Sequence, residues 1–404
     1  MIDFQTARDR MLQLAQPLEP TSAPLRDILG LVASEDVRAL HEVPPFTNSA
    51  MDGYAVRFEG VADASMNRPT RLKVLEFLAA GTTAAAAVEP GTAMKIMTGA
   101  PMPPGADAVV MVEVTREENG EVLIGSPVRK EENVRAAGED MKSGEIVVHE
   151  GQEMIPARIG LCAAVGHAKV PVFPRPRVGI VITGDELVEP GEPLSPGKIH
   201  NSNAYSLYAQ VLETGAVPVE FGVVPDDREG LVKVFSEAFA TCHVVASSGG
   251  VSMGDLDMVE EAAGAVGARL LFDAVAQKPG KPLVGGQAGN TLFFGLPGNP
   301  VSVMVCFEVY VRPVLRKMMG HRELFRPRAT GYFPKGYRKK PGRMEWVRVR
   351  VREREGDGLL IEPSAPQGSG ILRSMVLGQG LAEVPKEVSE LGPSDPVTVH
   401  LFEG

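Results

Sequence analysis

The sequence predicts a multidomain α/β fold with a central, mostly parallel α/β sandwich and β-rich regions on either side. Three observations carry that prediction. Between residues 177 and 320, apolar runs of strand length alternate with helical patterns. Before residue 134 and after residue 326, short β-like runs are separated by glycine and proline. The 404 residues include 44 glycines and 33 prolines, which implies many tight connections rather than one helical bundle.

Taken in order, Asp3 is placed to cap a helix whose apolar positions are Phe4, Ala7, Met11 and Leu14. A second short helix is expected after Pro24, ending at Gly30. From Pro44, the runs YAVRF, RLKVLEF, TAMKIMTG, AVVMVEV and EVLIG predict an all-β insert, within which TTAAAAVEPG reads as loop. Helical texture returns at Pro156. The segments flanking the insert then form one discontinuous, elongated region. The proline-rich joint at 170–177 marks the next boundary. Beyond it VGIVIT, VPVEFGVV, HVVAS and NTLFFGL read as strands. Helices are expected over 203–213, over 226–240 with Asp226 and Glu229 in a capping-box pattern, after Asp257, and over 301–319. The last part, with WVRVRVRE, GLLIEPS, GLAEVPK and PVTVHLF, predicts a small β-barrel or sandwich. The expected domains are 1–43 with 135–170, 44–134, 171–322 and 323–404.

Composition narrows the function. A net charge of −10 argues against a general nucleic-acid or anionic-membrane binder, since such affinity comes from neutralising phosphates. Cys162, Cys242 and Cys306 sit in apolar surroundings without metal-like spacing, as buried free thiols in a reducing compartment do. With no basic-then-apolar leader and no run of about 20 apolar residues, the expectation is a cytoplasmic protein that crosses no membrane.

The chemistry concentrates at the carboxyl ends of the parallel strands, where such sheets bind ligands. VGIVI runs into TGDEL with Thr183, Gly184 and Glu186; VEFGVV into PDD with Asp226; HVVA into SSGGVSMGDLD with Ser248, Gly249, Gly250 and Asp257; and LFFG into LPGNP with Pro297, Gly298 and Pro300. A fifth loop, QKPGKP, carries Lys278 and Lys281. Free amides and lysines suit phosphate oxygens, and carboxylates suit a hard cation such as magnesium. Each piece also has a plainer reading. Asp226 serves equally as a helix cap, the lysines as solvated loop charges, and the glycine-rich stretch as an ordinary βα turn. None of them is a Walker A or dinucleotide motif.

In this order and spacing, TGDEL, SSGGVSMGD, KPGKP and LPGNP resemble the molybdenum-cofactor biosynthesis domain. Upstream, NSAMDGYAVR, MTGAPMPPGADAVV and RAAGEDMKSGE resemble the molybdopterin molybdenumtransferase family, to which MoeA and the gephyrin E domain belong. The resemblance covers essentially the whole chain. It implies an elongated homodimer with the site between subunits, and insertion of molybdate into adenylylated molybdopterin with release of AMP. It also implies Mg2+ held by Asp257 and Glu186, with Asp226 a further acidic site position. Ser248, Gly249 and Gly250 would line the phosphates, Lys278 and Lys281 would neutralise them, and Pro297 and Pro300 would shape the last loop. Asp52, Thr98 and Asp140 would face the cleft from the partner subunit, while Arg348, Ser369 and Arg373 would meet the tetrahedral oxyanion. Arg348 also reads as one of three arginines on a solvated strand face, with Arg350 and Arg352. The chain departs from the family at Thr47, where many members have aspartate. Molybdopterin adenylyltransferase and apo-molybdoenzymes are the partners such an enzyme would meet. The alternatives are that adenylyltransferase activity, found where the α/β domain stands alone, and a non-catalytic scaffold, which would need a long linker or extra binding region.

Overall fold

The structure, a computed structural model, describes residues 1–225, 227–249, 256–353 and 358–402, with the backbone alone at 256, 257 and 353. Its central sheet has six strands in the order Val217–Val224, Arg177–Thr183, Val244–Ser248, Thr291–Leu296, Pro282–Ala288 and Arg269–Ala274. The first four run parallel, and Pro282–Ala288 is antiparallel to both of its neighbours. Strand Val244–Ser248 is buried at every position, which explains its unbroken apolar run. Helices cover both faces. Leu207 and Val211 pack on one, and Leu231, Phe235, Val259 and Ala263 on the other.

Two of these strands escape a reading of the sequence. Arg269–Ala274 and Pro282–Ala288 form a hairpin-like pair, but Gly285 and Gly286 erase the strand signature of the second. Glycine is required at 285 because a Cβ there would run into the Phe272 ring.

Helix boundaries also shift. The helix expected over 226–240 is Arg228–Thr241, and its cap is Asp227 rather than Asp226: Asp227 has extended backbone and accepts from Gly230 N–H at 2.7 Å. The segment after Pro24 makes only a single 3-10 turn, Leu25–Asp27. It has room for no more, because Thr21–Pro24 is paired with Lys169–Val172 and Val32 already bridges to Glu153. The long helix runs through Pro300–Cys306, a π turn at Phe307–Val311, and Arg312–Met318. Pro313, which has no N–H to return to the preceding turn, follows that π turn.

The first helix, Phe4–Leu14, is capped by Asp3, which accepts from Thr6 N–H at 3.0 Å. It packs into the seam between the α/β layer and the C-terminal strands. Phe4 meets Tyr310 and Trp346 edge-on at centroid distances of 5.4 and 5.1 Å. Elsewhere in the N-terminal region, Val37–Arg38 pairs with Ile146–Val148, and Ile28, Leu31, Val148, Met154, Cys162 and Val172 share one core. The inserted lobe is a six-stranded sheet built from Gly53–Val56, Thr70–Leu78, Thr92–Ile96, Ala108–Met111, Thr115–Glu118 and Glu121–Ile124.

The C-terminal strands close into a five-stranded barrel. Met344–Glu353 pairs with both Leu359–Pro363 and Gly380–Val384, and Arg328–Tyr332 and Pro396–Leu401 complete the ring. Val347 and Val349 point into the barrel core. On the other face, Trp346 packs in the α/β core and Arg348 is 1% exposed, so the alternation in this strand does not mark a solvated face at Arg348. All three cysteines are free and buried. Among the described residues, no helix is long and apolar enough to cross a membrane.

Candidate active site

The four parallel strands end level with one another. Ile182, Ser248 and Leu296 occupy one row across the sheet, and Thr183 pairs with Val224. The loops leaving these strands therefore share one edge. Pro282–Ala288, running the other way, starts at that same edge with Val284 opposite Gly295, and so brings residues 277–281 to it.

At the centre, Ser248 Oγ donates to Pro297 O at 3.2 Å and accepts from Asn203 Nδ2 at 3.0 Å. Asn203 Nδ2 also reaches Gly298 O at 2.7 Å, so one amide ties the second residue of a helix to two strand ends. Gly249 adopts φ +102°, and a Cβ there would collide with Thr183 O and lie 2.7 Å from Thr183 Oγ1. Only glycine allows this approach. Thr183 Oγ1 and Ser247 Oγ are buried without a hydrogen-bond partner among the described residues. Leaving such groups unsatisfied costs about 1–3 kcal/mol each unless a ligand or water meets them. Glu186 folds its carboxylate over Gly184, where a Cβ would lie 2.6 Å from Oε2, and the side chain is exposed at the rim. Pro300 opens the following helix at its first turn. Asp226 and Gly250 lie outside the described residues; Asp257 is in the first turn of helix Leu256–Ala265, its side chain likewise undescribed.

The KPGKP loop meets the barrel here. Gln277–Lys278 pairs in parallel with Met344–Glu345, and Lys278 Nζ donates to Glu345 Oε1 at 2.7 Å. Lys281 is exposed. Between loop and barrel lies a cleft of about 560 Å³ lined by Lys278, Lys281, Asn299, Arg343, Gln367 and Ser369. Val301 N–H donates to Ser369 O at 3.1 Å, which fixes the cleft's far wall to the helix start. Arg348 lies behind this wall. Its guanidinium donates to Ser374 Oγ, Trp346 O and Gly368 O at 3.1, 3.2 and 3.3 Å, and burial brings its pKa down to about 10. It holds the Gly368 loop from beneath. Arg373 is exposed at the start of the short helix Arg373–Val376.

Asp52 and Thr98 form a second group in the inserted lobe. Asp52 Oδ1 accepts from Thr98 N–H at 2.7 Å and Thr98 Oγ1 at 2.8 Å, and these two bonds hold its carboxyl below the usual range. Asn48 and Ser49 pair with Arg135 and Val134, and Gly99 N–H donates to Ser49 O at 2.8 Å. Thr47 Oγ1 accepts from Ala137 N–H at 3.3 Å, so it helps seat the turn that leads to exposed Asp140.

Sequence reasoning missed Asn203, Gln277, Arg343, Glu345 and Gln367. Asn203 had a signal, the Asn-Ser-Asn run at a helix start. Glu345 and Gln367 had none, because their roles come from contacts between distant segments.

Three family models match in succession: the MoeA N-terminal region (domain I and II) over residues 2–166, a probable molybdopterin binding domain over 179–317, and the MoeA C-terminal region (domain IV) over 330–402. Molybdopterin molybdenumtransferase 2 of Mycobacterium tuberculosis is 36% identical over 392 residues, covering 96% of each chain. The molybdopterin molybdenumtransferase of Haemophilus influenzae is 32% identical over 405 residues, covering 100% of this chain and 99% of the relative. A crystal structure titled as the molybdopterin biosynthesis MoeA protein of Pyrococcus horikosii matches with a TM-score of 0.82 at 31% identity over 100% of both chains. With its whole length so matched, the chain belongs to the MoeA family of molybdopterin molybdenumtransferases.

Proposed function

We propose that the chain inserts molybdate into adenylylated molybdopterin, releasing AMP and leaving the molybdenum cofactor. The observation that carries this reading is the convergence of four strand-end loops with a two-lysine cleft on one edge of the sheet. Ser248, Gly249, Thr183 and Gly298 form the cradle for the pterin and nucleotide phosphates, shaped by Pro297 and Pro300. Lys278 and Lys281 offset the charge of the phosphates and of the incoming dianion. Ser369 and Arg373 receive molybdate on the barrel side, and Arg348 supports that wall from behind.

Mg2+ fits the donors. Glu186 offers a carboxylate at the rim, and the unpartnered Thr183 Oγ1 adds a hard oxygen. Among the described residues, no three His, Cys, Asp or Glu side chains converge as a metal site. Glu186 and Asp257 are the residues that would hold Mg2+, a hard cation that takes oxygen donors. Bound there, it would polarise the phosphoanhydride. The protein's own part is positional: the cradle and the lysines hold the dithiolene sulfurs and molybdate close, so that insertion and AMP release occur together. Asp52 with Thr98, and Asp140, would close the cleft from a second copy of the chain in a homodimer. Molybdopterin adenylyltransferase would supply the substrate, and apo-molybdoenzymes would receive the product.

Purified protein should release AMP from adenylylated molybdopterin only when molybdate and Mg2+ are both present. Consumption of ATP with unadenylylated molybdopterin would instead assign the preceding adenylylation step.

A further inference from the structure

Residues 275–281 make a closed loop fastened from within and from beneath. At its base, Val275 N–H donates to Lys281 O at 2.9 Å. Inside it, Gln277 Nε2 donates to Gly280 O at 3.1 Å and contacts Cys306 Sγ at 3.4 Å. Gln277 Oε1 accepts from Tyr310 OH at 2.5 Å. Gln277 and Tyr310 are both fully buried, and both ends of the amide are engaged. Gly280 stands at φ +86°, and a Cβ there would collide with Cys306 Sγ, so the loop rests directly on the long helix. The contact residues lie in the π turn Phe307–Val311 and immediately before it, a geometry frequent at functional sites.

A buried Gln–Tyr pair is a demanding way to fill a core, since leucine and phenylalanine would pack there without polar groups to satisfy. What the pair adds is a single geometry for the loop above it. That loop carries two ammonium groups on one short turn, whose repulsion favours spreading. Lys278 is restrained by Glu345, and Lys281 through the backbone of the fastened loop.

We infer that Gln277 and Tyr310 are positioning residues that hold Lys278 and Lys281 at the spacing with which they grip the tetrahedral oxyanion. The inference rests on the site reading given above. Neither residue touches the substrate; both act through the loop.

The test uses full-length Tyr310→Phe, which keeps the ring and loses only the hydroxyl, and Gln277→Met, which keeps the volume and loses the amide. Steady-state AMP release should show KM for molybdate raised five- to tenfold in each variant with kcat within twofold of wild type. Calorimetric titration with molybdate alone should show the same loss of affinity. A lowered melting temperature with unchanged KM in both variants overturns the inference and leaves the pair a structural one, as does a fall in kcat at constant KM. A wild-type protein that neither binds molybdate nor releases AMP would overturn the site reading itself, and the inference with it.

Discussion

Lys278 Nζ lies 2.7 Å from Oε1 of Glu345, a carboxylate with 4% of its side chain exposed, and the pair spans from the α/β domain to the barrel. The two lysines of the loop are thereby made unequal. One has a buried partner and the other does not depend on one for its place.

Lys278→Ala should lower stability as well as activity. Removing the ammonium leaves the buried Glu345 carboxylate without its cation and with the Tyr337 hydroxyl as its hydrogen-bond partner, at a cost of about 1–3 kcal/mol once the half-exposed state of Lys278 is discounted. Lys281→Ala should leave stability within about 0.5 kcal/mol of wild type while AMP release falls at least tenfold. Urea midpoints read beside AMP release separate the two, and equal stability of the two variants would contradict the role given to Glu345.

The shared cleft predicts complementation. Asp52→Ala and Lys281→Ala remove groups from different domains, and each variant alone should be inactive. If every site takes Asp52 from one subunit and Lys281 from the other, unfolding and refolding an equimolar mixture should restore about a quarter of wild-type AMP release, because random pairing leaves that share of sites intact. A mixture as inactive as its components would place both groups in sites built within one chain.

Stability should fall between pH 6.5 and 4 because of His321. Its side chain is 6% exposed, its Nδ1 accepts from Arg316 Nη2 at 3.2 Å, and burial, with Arg316 and Arg312 nearby, pushes its pKa down to about 4. Glu153 Oε2 is 3.7 Å from the same nitrogen. That proximity does not make an ion pair at neutral pH, since the nitrogen's lone pair is already occupied by the guanidinium. The unfolded chain takes up the proton near pH 6.5 and the folded one does not. The stabilisation is therefore complete above about pH 6.5 and is lost as pH falls toward 4, a change of order 3 kcal/mol. Urea unfolding from pH 7.5 to 4.5 should show this slope, and His321→Asn should flatten it.

Much of the site was legible because local sequence decides where strands stop. TGDEL, SSGG and LPGNP each follow an apolar run, and a run too apolar to face water followed by glycine and proline announces both a buried strand and the loop at its end. KPGKP was legible for its charges. The grip on those charges was not, since Glu345 and Tyr310 reach the loop from segments far along the chain and nothing in their own neighbourhoods marks them. Arg348 shows the opposite failure. Its strand alternates as a half-solvated strand does, yet at Arg348 the outer face is covered by the segment that carries Gly368, Ser374 and Gly378, and periodicity cannot tell such a cover from solvent. The hairpin before Leu292 was lost to its glycines, which serve the close approach of Phe272 rather than strand propensity. The first helix was plain in its cap and spacing, but its docking place depends on Tyr310 and Trp346.

That docking place has a consequence for how the protein is made. Phe4 leaves the ribosome on the order of 20–70 s before the Trp346 ring it packs against, at roughly 5–20 residues per second. Until Tyr310 and the α/β layer around it are made, the amphipathic helix Phe4–Leu14 has no native surface to cover its apolar stripe, and Trp346 completes that cover. The seam among the helix Phe4–Leu14, the α/β layer and the barrel can close only after strand Met344–Glu353 has been made, so the barrel pairings and the final seating of this helix come together.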